Sequence, residues 1–319
     1  MKKILFLLVV FLSLPAFCGE PLMLINPSRE TFINFPSAVL DMDKTVTVFL
    51  PEKTVPLKGR YPVVYLLGAI PKDAPAAEAL LAASQRKALL VGVNFEESDY
   101  AHLDKIVRFM TRELIPYINV NYSVFDDPSS RAVVSGGEAA AKVTAALLAQ
   151  KDLFGRAVIL NGGEPPASLD ASAESLRVIL AGERPQVFAW QQVFERKGLA
   201  YGPEFVTKLG VSRLLEAVNL DYLFAPSEEL ILKKLRGDLF PRALVIGGEE
   251  TVSLSVSAVL ANAMTFDYLP SLLKISPMYL DWNGKDGILS VIPGALPGKV
   301  KISVLAGKTG FSGKIKLKK

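Results

Sequence analysis

Short, continuous apolar runs alternate with helix-forming stretches along the first two thirds of this chain, and that alternation constrains the fold most. Thr45 to Leu50 (TVTVFL) and Tyr61 to Leu67 (YPVVYLL) are β-branched and apolar, bounded by Pro, Lys and Gly, and so read as strands. Ala88 to Asn94, Arg131 to Ser135, Ala157 to Leu160 and Leu176 to Ala181 read the same way. Between them, Ala74 to Lys87 and Glu138 to Gln150 are rich in strong helix formers. Leu103 to Tyr117 places Ile106, Phe109, Met110 and Leu114 on one helical face. Strands without polar alternation need cover on both faces. The expected class is α/β: a mostly parallel sheet with helices on both sides.

From about Arg242 the helical periodicity fades. Strand-like segments recur between turn signals: Leu244 to Ile246, Val252 to Val259, Met278 to Trp282, Ile288 to Ile292, Val300 to Leu305 and Gly313 to Leu317. That spacing, with turns such as Asn283-Gly284 and Pro297-Gly298, predicts a small antiparallel sandwich of immunoglobulin-like architecture. The closing KIKLKK sets Ile315 and Leu317 against Lys314, Lys316 and Lys318, one buried face and one solvated basic face. Residues 19–235 are assigned to the α/β domain and 236–319 to the sandwich.

Composition enters through its smallest counts, one His and one Cys. A disulfide framework needs paired Cys, and zinc or iron–sulfur sites need Cys and His in clusters, so no metal or other cofactor is expected. The Cys falls in residues 1–18, MKKILFLLVVFLSLPAFC, which read as a secretory signal peptide. Lys2 and Lys3 precede an apolar core too short to span a membrane, and Ala16 and Cys18 occupy the small-residue cleavage positions. An uncleaved anchor and lipoprotein processing at Cys18 are the alternatives, the latter fitting poorly after bulky Phe17. The expected location is periplasmic or secreted, with no transmembrane segment after cleavage. Basic and acidic residues nearly balance, 36 against 32, and no basic run interleaved with aromatics argues for nucleic acid.

The ordered segments of the first domain resemble the secreted esterases of the α/β-hydrolase fold related to enterochelin esterase and the mycolyltransferases. Thr45 to Pro51 is similar to the family's "VxLP" strand, and Tyr61 to Leu67 to its "YPVLYLLHG". Ala88 to Asn94 is similar to "IVVG", Glu113 to Ile118 with Asn121-Tyr122 to "ELIPYIxxxY", and Asp152-Leu153-Phe154 to "PDLF". The resemblance implies a Ser nucleophile on a strand-to-helix elbow, followed in chain order by an acid and a His.

The departures fall on that chemistry. Counting forward from Arg131 and back from Asp152-Leu153-Phe154 puts the nucleophile position at Gly137, in Val134-Ser135-Gly136-Gly137-Glu138-Ala139-Ala140. The acid position becomes Pro185, with only Glu183 nearby, the His position becomes Val211, and the oxyanion-hole "HG" becomes Gly68-Ala69. The lone His102 precedes the nucleophile strand. With all three triad positions changed, the sequence reading is a catalytically degenerate pseudo-esterase, not an enzyme, that binds a glycan, an ester ligand or a protein partner. The alternative is an active carboxylesterase or acyltransferase with a rearranged site, using Ser135 with Glu183 or Lys142.

Other chemistry is weaker. The carboxylates Glu96, Glu97 and Asp99, Asp126-Asp127, and Glu249-Glu250 read as solvated loop charges, and Asp281 to Asp286 as a hairpin turn rather than a calcium loop. Trp190 and Tyr201 read as core residues, with a binding cleft as the other reading.

Overall fold

The computed structural model describes residues 23–25, 30–51, 59–68, 74–167, 169 and 176–319. The expected signal peptide and Ala69 lie outside these residues. The strands of the first part are β1 Met23–Ile25, β2 Glu30–Ser37, β3 Met42–Phe49, β4 Val63–Leu67, β5 Leu89–Val93, β6 Arg131–Gly136, β7 Arg156–Leu160, β8 Arg177–Gly182 and β9 Phe205–Leu209. The helices are α1 Ala74–Ala83, α2 Leu103–Phe109, α3 Ile115–Asn121, α4 Glu138–Leu148, α5 Arg184–Arg196, α6 Leu214–Ala217 and α7 Leu220–Leu223. Helices α2 and α3 are joined by a π-helical turn, Met110–Leu114, in which the Ile115 N–H reaches back to the carbonyl of Met110. Pro116 lies just beyond and has no N–H to continue the ladder.

The sheet runs β2-β3-β5-β4-β6-β7-β8-β9, with β5, β4, β6, β7, β8 and β9 all parallel and β2 and β3 antiparallel at one edge. Alternate residues of each buried strand serve two different cores. Val63, Tyr65 and Leu67 of β4 meet Ile106, Phe109, Leu147 and Trp190 on one side. Val64 and Leu66 meet Leu81, Leu214 and Leu220 on the other. This is why the strands read as unbroken apolar runs. The result is a mixed sheet with helices on both faces, consistent with an α/β-hydrolase-like fold.

The C-terminal strands are β10 Leu232–Phe240, β11 Ala243–Val245, β12 Val252–Leu260, β13 Thr265–Asp267, β14 Lys274–Ser276, β15 Leu280–Asn283, β16 Ile288–Val291, β17 Gly298–Ala306 and β18 Thr309–Lys318. Residue 235, where the sequence reading ends the first domain, lies inside β10. The sequence reading makes all these strands a sandwich of their own. Instead β13 pairs with β9 at Asp267 and Thr207, so β13, β12, β16 and β15, with β10 on β12, extend the main sheet. The physical reason is the edge of β9, whose unpaired backbone groups need a partner. A second, four-stranded sheet, β11-β18-β17-β14, covers this extension over a third core that includes Leu254, Val256, Val300, Ile302 and Ile315. Among the described residues no helix is long and apolar enough to cross a membrane.

Candidate active site

In a sheet of parallel strands, loops at the carboxyl ends carry chemistry, because side chains there stand clear of the packed layers. The turn from β6 to α4 is that place here. Ser135 lies one step too early, flanked by Leu67 of β4 and Ile159 of β7. It is fully buried, and its hydroxyl donates to the carbonyl of Val158 at 3.3 Å. A strand serine whose proton is given to a main-chain carbonyl has neither exposure nor a base. The fallback partners do not reach it: Lys142 pairs with Glu138 at 2.8 Å, and Glu183 is exposed at the start of α5.

Gly137 makes the elbow. Its φ of 86° and ψ of 166° lie in a region that residues with a Cβ rarely enter, and its N–H donates to Leu160 at 2.9 Å. A Cβ placed there meets nothing within 4 Å, so the position has room for a side chain but not the backbone conformation. Gly68, arriving from β4 with φ of 90°, passes so close that a Cβ would stand 2.5 Å from the Gly136 carbonyl oxygen. Beside Gly68 sits Tyr100, whose hydroxyl burial pushes up to about 12.

The other expected triad positions follow the same edge of the sheet. Pro185 is the second residue of α5, behind Glu183, whose side chain makes no capping bond. Val211 is half-buried beyond β9 and packs on the core beneath α6 and α7. The structure thus gathers Gly137, Pro185 and Val211 at the carboxyl ends of β6, β8 and β9, and none of the three carries an acid, a base or a nucleophile. His102 is exposed at the start of α2.

One carboxylate departs from the sequence expectation, while exposed Asp126, the hairpin turn at 281–286 and core Trp190 follow it. Asp99 is not a solvated loop charge: it pairs with Lys44 at 2.5 Å, the side chains only 8% and 7% exposed. Asp126 pairs with buried Arg131 at 2.5 Å. Asn283 donates to Asp286 at 2.7 Å within a hairpin. Trp190 is core, and the Tyr201 hydroxyl donates to the carbonyl of Asp267 at 2.5 Å.

Sequence reasoning missed a crevice of about 370 Å³ beside the elbow, lined by Leu103, Glu138, Lys142, Ala145, Glu164 and Pro165 with Pro166. Glu138 opens α4, and Glu164 comes from the loop after β7. Gly163 (φ of 63°) lets that loop press on Glu138, since a Cβ there would lie 2.5 Å from its Cγ. The spacing of Glu138 and Lys142 is visible in the sequence as an i,i+4 pair. Nothing in the sequence brings Glu164 to them. Among the described residues no cluster of His, Cys, Asp and Glu could hold a metal ion.

No protein-family model and no curated protein sequence matches the chain. Solved structures do. An uncharacterised protein from Capnocytophaga ochracea is 18% identical with a TM-score of 0.47, over 61% of this chain and 62% of that one. A ferulic acid esterase from the anaerobic fungus Anaeromyces mucronatus is 14% identical with a TM-score of 0.46, over 67% and 94%. Enterochelin esterase from Shigella flexneri is 18% identical with a TM-score of 0.43, over 58% and 53%. The chain therefore spans only about 62% of the length of the first of these. The likeness is one of fold. The expectation of a non-enzyme is corrected to the coarser statement that the chain shares its fold with structures named as esterases and serine hydrolases.

Proposed function

We propose that this chain is an exported hydrolase of the esterase fold, acting on an ester ligand at a rearranged site in the crevice beside the elbow. One observation carries the reading: two carboxylates, Glu138 and Glu164, converge next to an uncapped helix N-terminus at the carboxyl ends of the parallel strands. The first amides of α4 have no intrahelical acceptor, and Gly137 offers no capping side chain. Such amides stabilise the negative oxygen of a tetrahedral intermediate.

In this reading water replaces serine. A crevice carboxylate, Glu164, takes a proton from water as the oxygen attacks the ester carbonyl carbon. The carbonyl electron pair moves onto oxygen, facing the α4 amides. As the intermediate collapses, the ester C–O bond breaks and the proton passes from Glu164 to the departing alkoxide. Glu138, held by Lys142 and by the Gly163 turn, positions that water. The C-terminal strands we read as an immunoglobulin-like sandwich, supported by the two sheets that enclose the third core.

Turnover of short-chain nitrophenyl esters by the full chain tests this. Glu164→Gln is expected to lower kcat by about 100-fold or more, in the range of general-base catalysis, while Ser135→Ala leaves it unchanged. No turnover by the unaltered protein sinks the hydrolase reading. Activity that vanishes with Ser135→Ala returns the chemistry to that serine. Amino-terminal sequencing of protein recovered outside the cytoplasm tests export: a chain beginning after Cys18 is expected, and an intact Met1 overturns it.

A further inference from the structure

The second sheet presents a lysine lattice that the esterase reading does not use. Strand alternation turns Lys274, Lys299, Lys301, Lys314, Lys316 and Lys318 to its outer side, and all six are exposed. In register, Lys299 faces Lys316 and Lys301 faces Lys314. Directly opposed residues have Cβ atoms about 4.5–5.5 Å apart, where like charges repel. None of the six is in an ion pair among the described residues. Among the described residues, no outward position of these four strands carries an acidic side chain. Asp238 lies at its edge and is paired with Arg242 at 3.0 Å. A lattice of uncompensated cations on a sheet has a missing counter-charge, and its shape says what kind.

We infer that this face docks on an anionic lipid surface, holding the protein to the outside of a membrane. Three features favour lipid over other polyanions. Lys274, Lys299, Lys316 and Lys318 stand on open sheet, with Lys301 and Lys314 at the rim of a crevice of about 380 Å³ beside Asp238 and Arg242, so most of the face matches a planar array of headgroups. Leu305 (63% exposed) and Val245 (40%) share the outer face and can enter the interface between headgroups. The outward positions of β11, β14, β17 and β18 carry no aromatic ring. Single-stranded nucleic acid is held by stacking on such rings, so a charged chain of bases finds no platform here. Polybasic segments are attracted to anionic bilayers lysine by lysine, and the attraction fades within a Debye length.

The test is co-sedimentation of the full chain with phosphatidylcholine vesicles, with and without phosphatidylglycerol. Binding is expected only to the anionic vesicles and is lost at about 1 M salt, where the Debye length is about 3 Å. Lys299→Glu with Lys301→Glu places acids opposite Lys316 and Lys314, so the folded state keeps or gains thermal stability. The same pair is expected to cut partitioning by about 25-fold or more, taking about fivefold per lysine lost. If that variant does not fold, Lys314→Ser with Lys316→Ser reads the same surface and is expected to lose a similar amount. Equal binding to neutral vesicles, no binding to anionic ones, or partitioning unchanged by either variant overturns the proposal. So does preferential capture by a soluble acidic polysaccharide of equal charge concentration. Ester turnover is independent of all these outcomes.

Discussion

The two ends of the parallel sheet are built on opposite principles. At the amino ends of β6, β7 and β8 stand Arg131, Arg156 and Arg177, all buried. Arg177 donates to the carbonyls of Tyr222 (2.8 Å), Leu223 (3.0 Å) and Ala225 (2.8 Å), and to Pro203 at 3.2 Å. Arg156 reaches Leu223 at 2.7 Å, and burial draws its guanidinium down to about 10. Arg156 and Arg177 satisfy carbonyls at and beyond the end of α7, while Arg131 donates to the carbonyl of Leu153 and pairs with Asp126. At the carboxyl ends the strands finish in Gly136 and Gly182, and the elbow is Gly137. There the side chains have been removed so that backbones can turn and approach. One end is closed by side chains bonding to main chain; the other is left open by main chain without side chains. The open end is where the crevice lined by Glu138 and Glu164 lies.

That contrast can be broken experimentally. The largest effect is expected at the closed end: Arg177→Leu leaves several buried carbonyls without donors, at about 1–3 kcal/mol each, so a loss of at least about 3 kcal/mol is expected in urea unfolding. Were the loss under about 1 kcal/mol, the arginine layer would not be what holds α7. Next comes the elbow. Gly137→Ala and Gly137→Ser should each cost about 1–3 kcal/mol from backbone strain alone, and by similar amounts, because the space around the position is empty. A serine much less costly than alanine would mean that the hydroxyl finds a partner there. Ser135→Ala should change stability by about 1 kcal/mol or less, the net worth of one neutral hydrogen bond.

Tyrosine titration distinguishes the ends by their pH response. Tyr65, fully buried and close to Arg131, is raised by burial beyond the range in which the fold is expected to persist, whereas Tyr100 beside Gly68 is raised to about 12. Both favour the neutral phenol in the folded state. The stability they contribute is therefore full below the ordinary value near 10, and Tyr100's share is lost as pH rises from about 10 to about 12. An absorbance titration should show Tyr100 ionising late and reversibly; ionisation near 10 would place its hydroxyl in open water.

Much of the fold was legible because burial on both faces leaves a plain mark: the runs at Tyr61 to Leu67 and Ala88 to Asn94 lie on β4 and β5 almost residue for residue. The Gly137 elbow was also legible, since only its residue types had to be counted. Strand β10 was not. Leu235 and Leu239 point inward while Lys233, Lys234 and Arg236 point to solvent, a half-buried pattern that the domain boundary at 235 cuts through and that only its partner β12 completes. Ser135 was misleading for the same reason in reverse: its sequence neighbours resemble half a nucleophile motif, and only pairing with two flanking strands shows that it is sealed.

Local pattern determined which segments are strands, that the elbow carries glycine, and that lysines line one side of the last hairpin, because these depend on neighbours two to four residues away. Tertiary structure alone decided that β13 would splice the C-terminal strands onto the main sheet, that Arg156 and Arg177 would bond the end of α7, and that Glu164 would share a crevice with Glu138. Those outcomes depend on contacts between residues as many as 60 positions apart, such as Thr207 with Asp267, whose energies arise only once the chain has closed on itself.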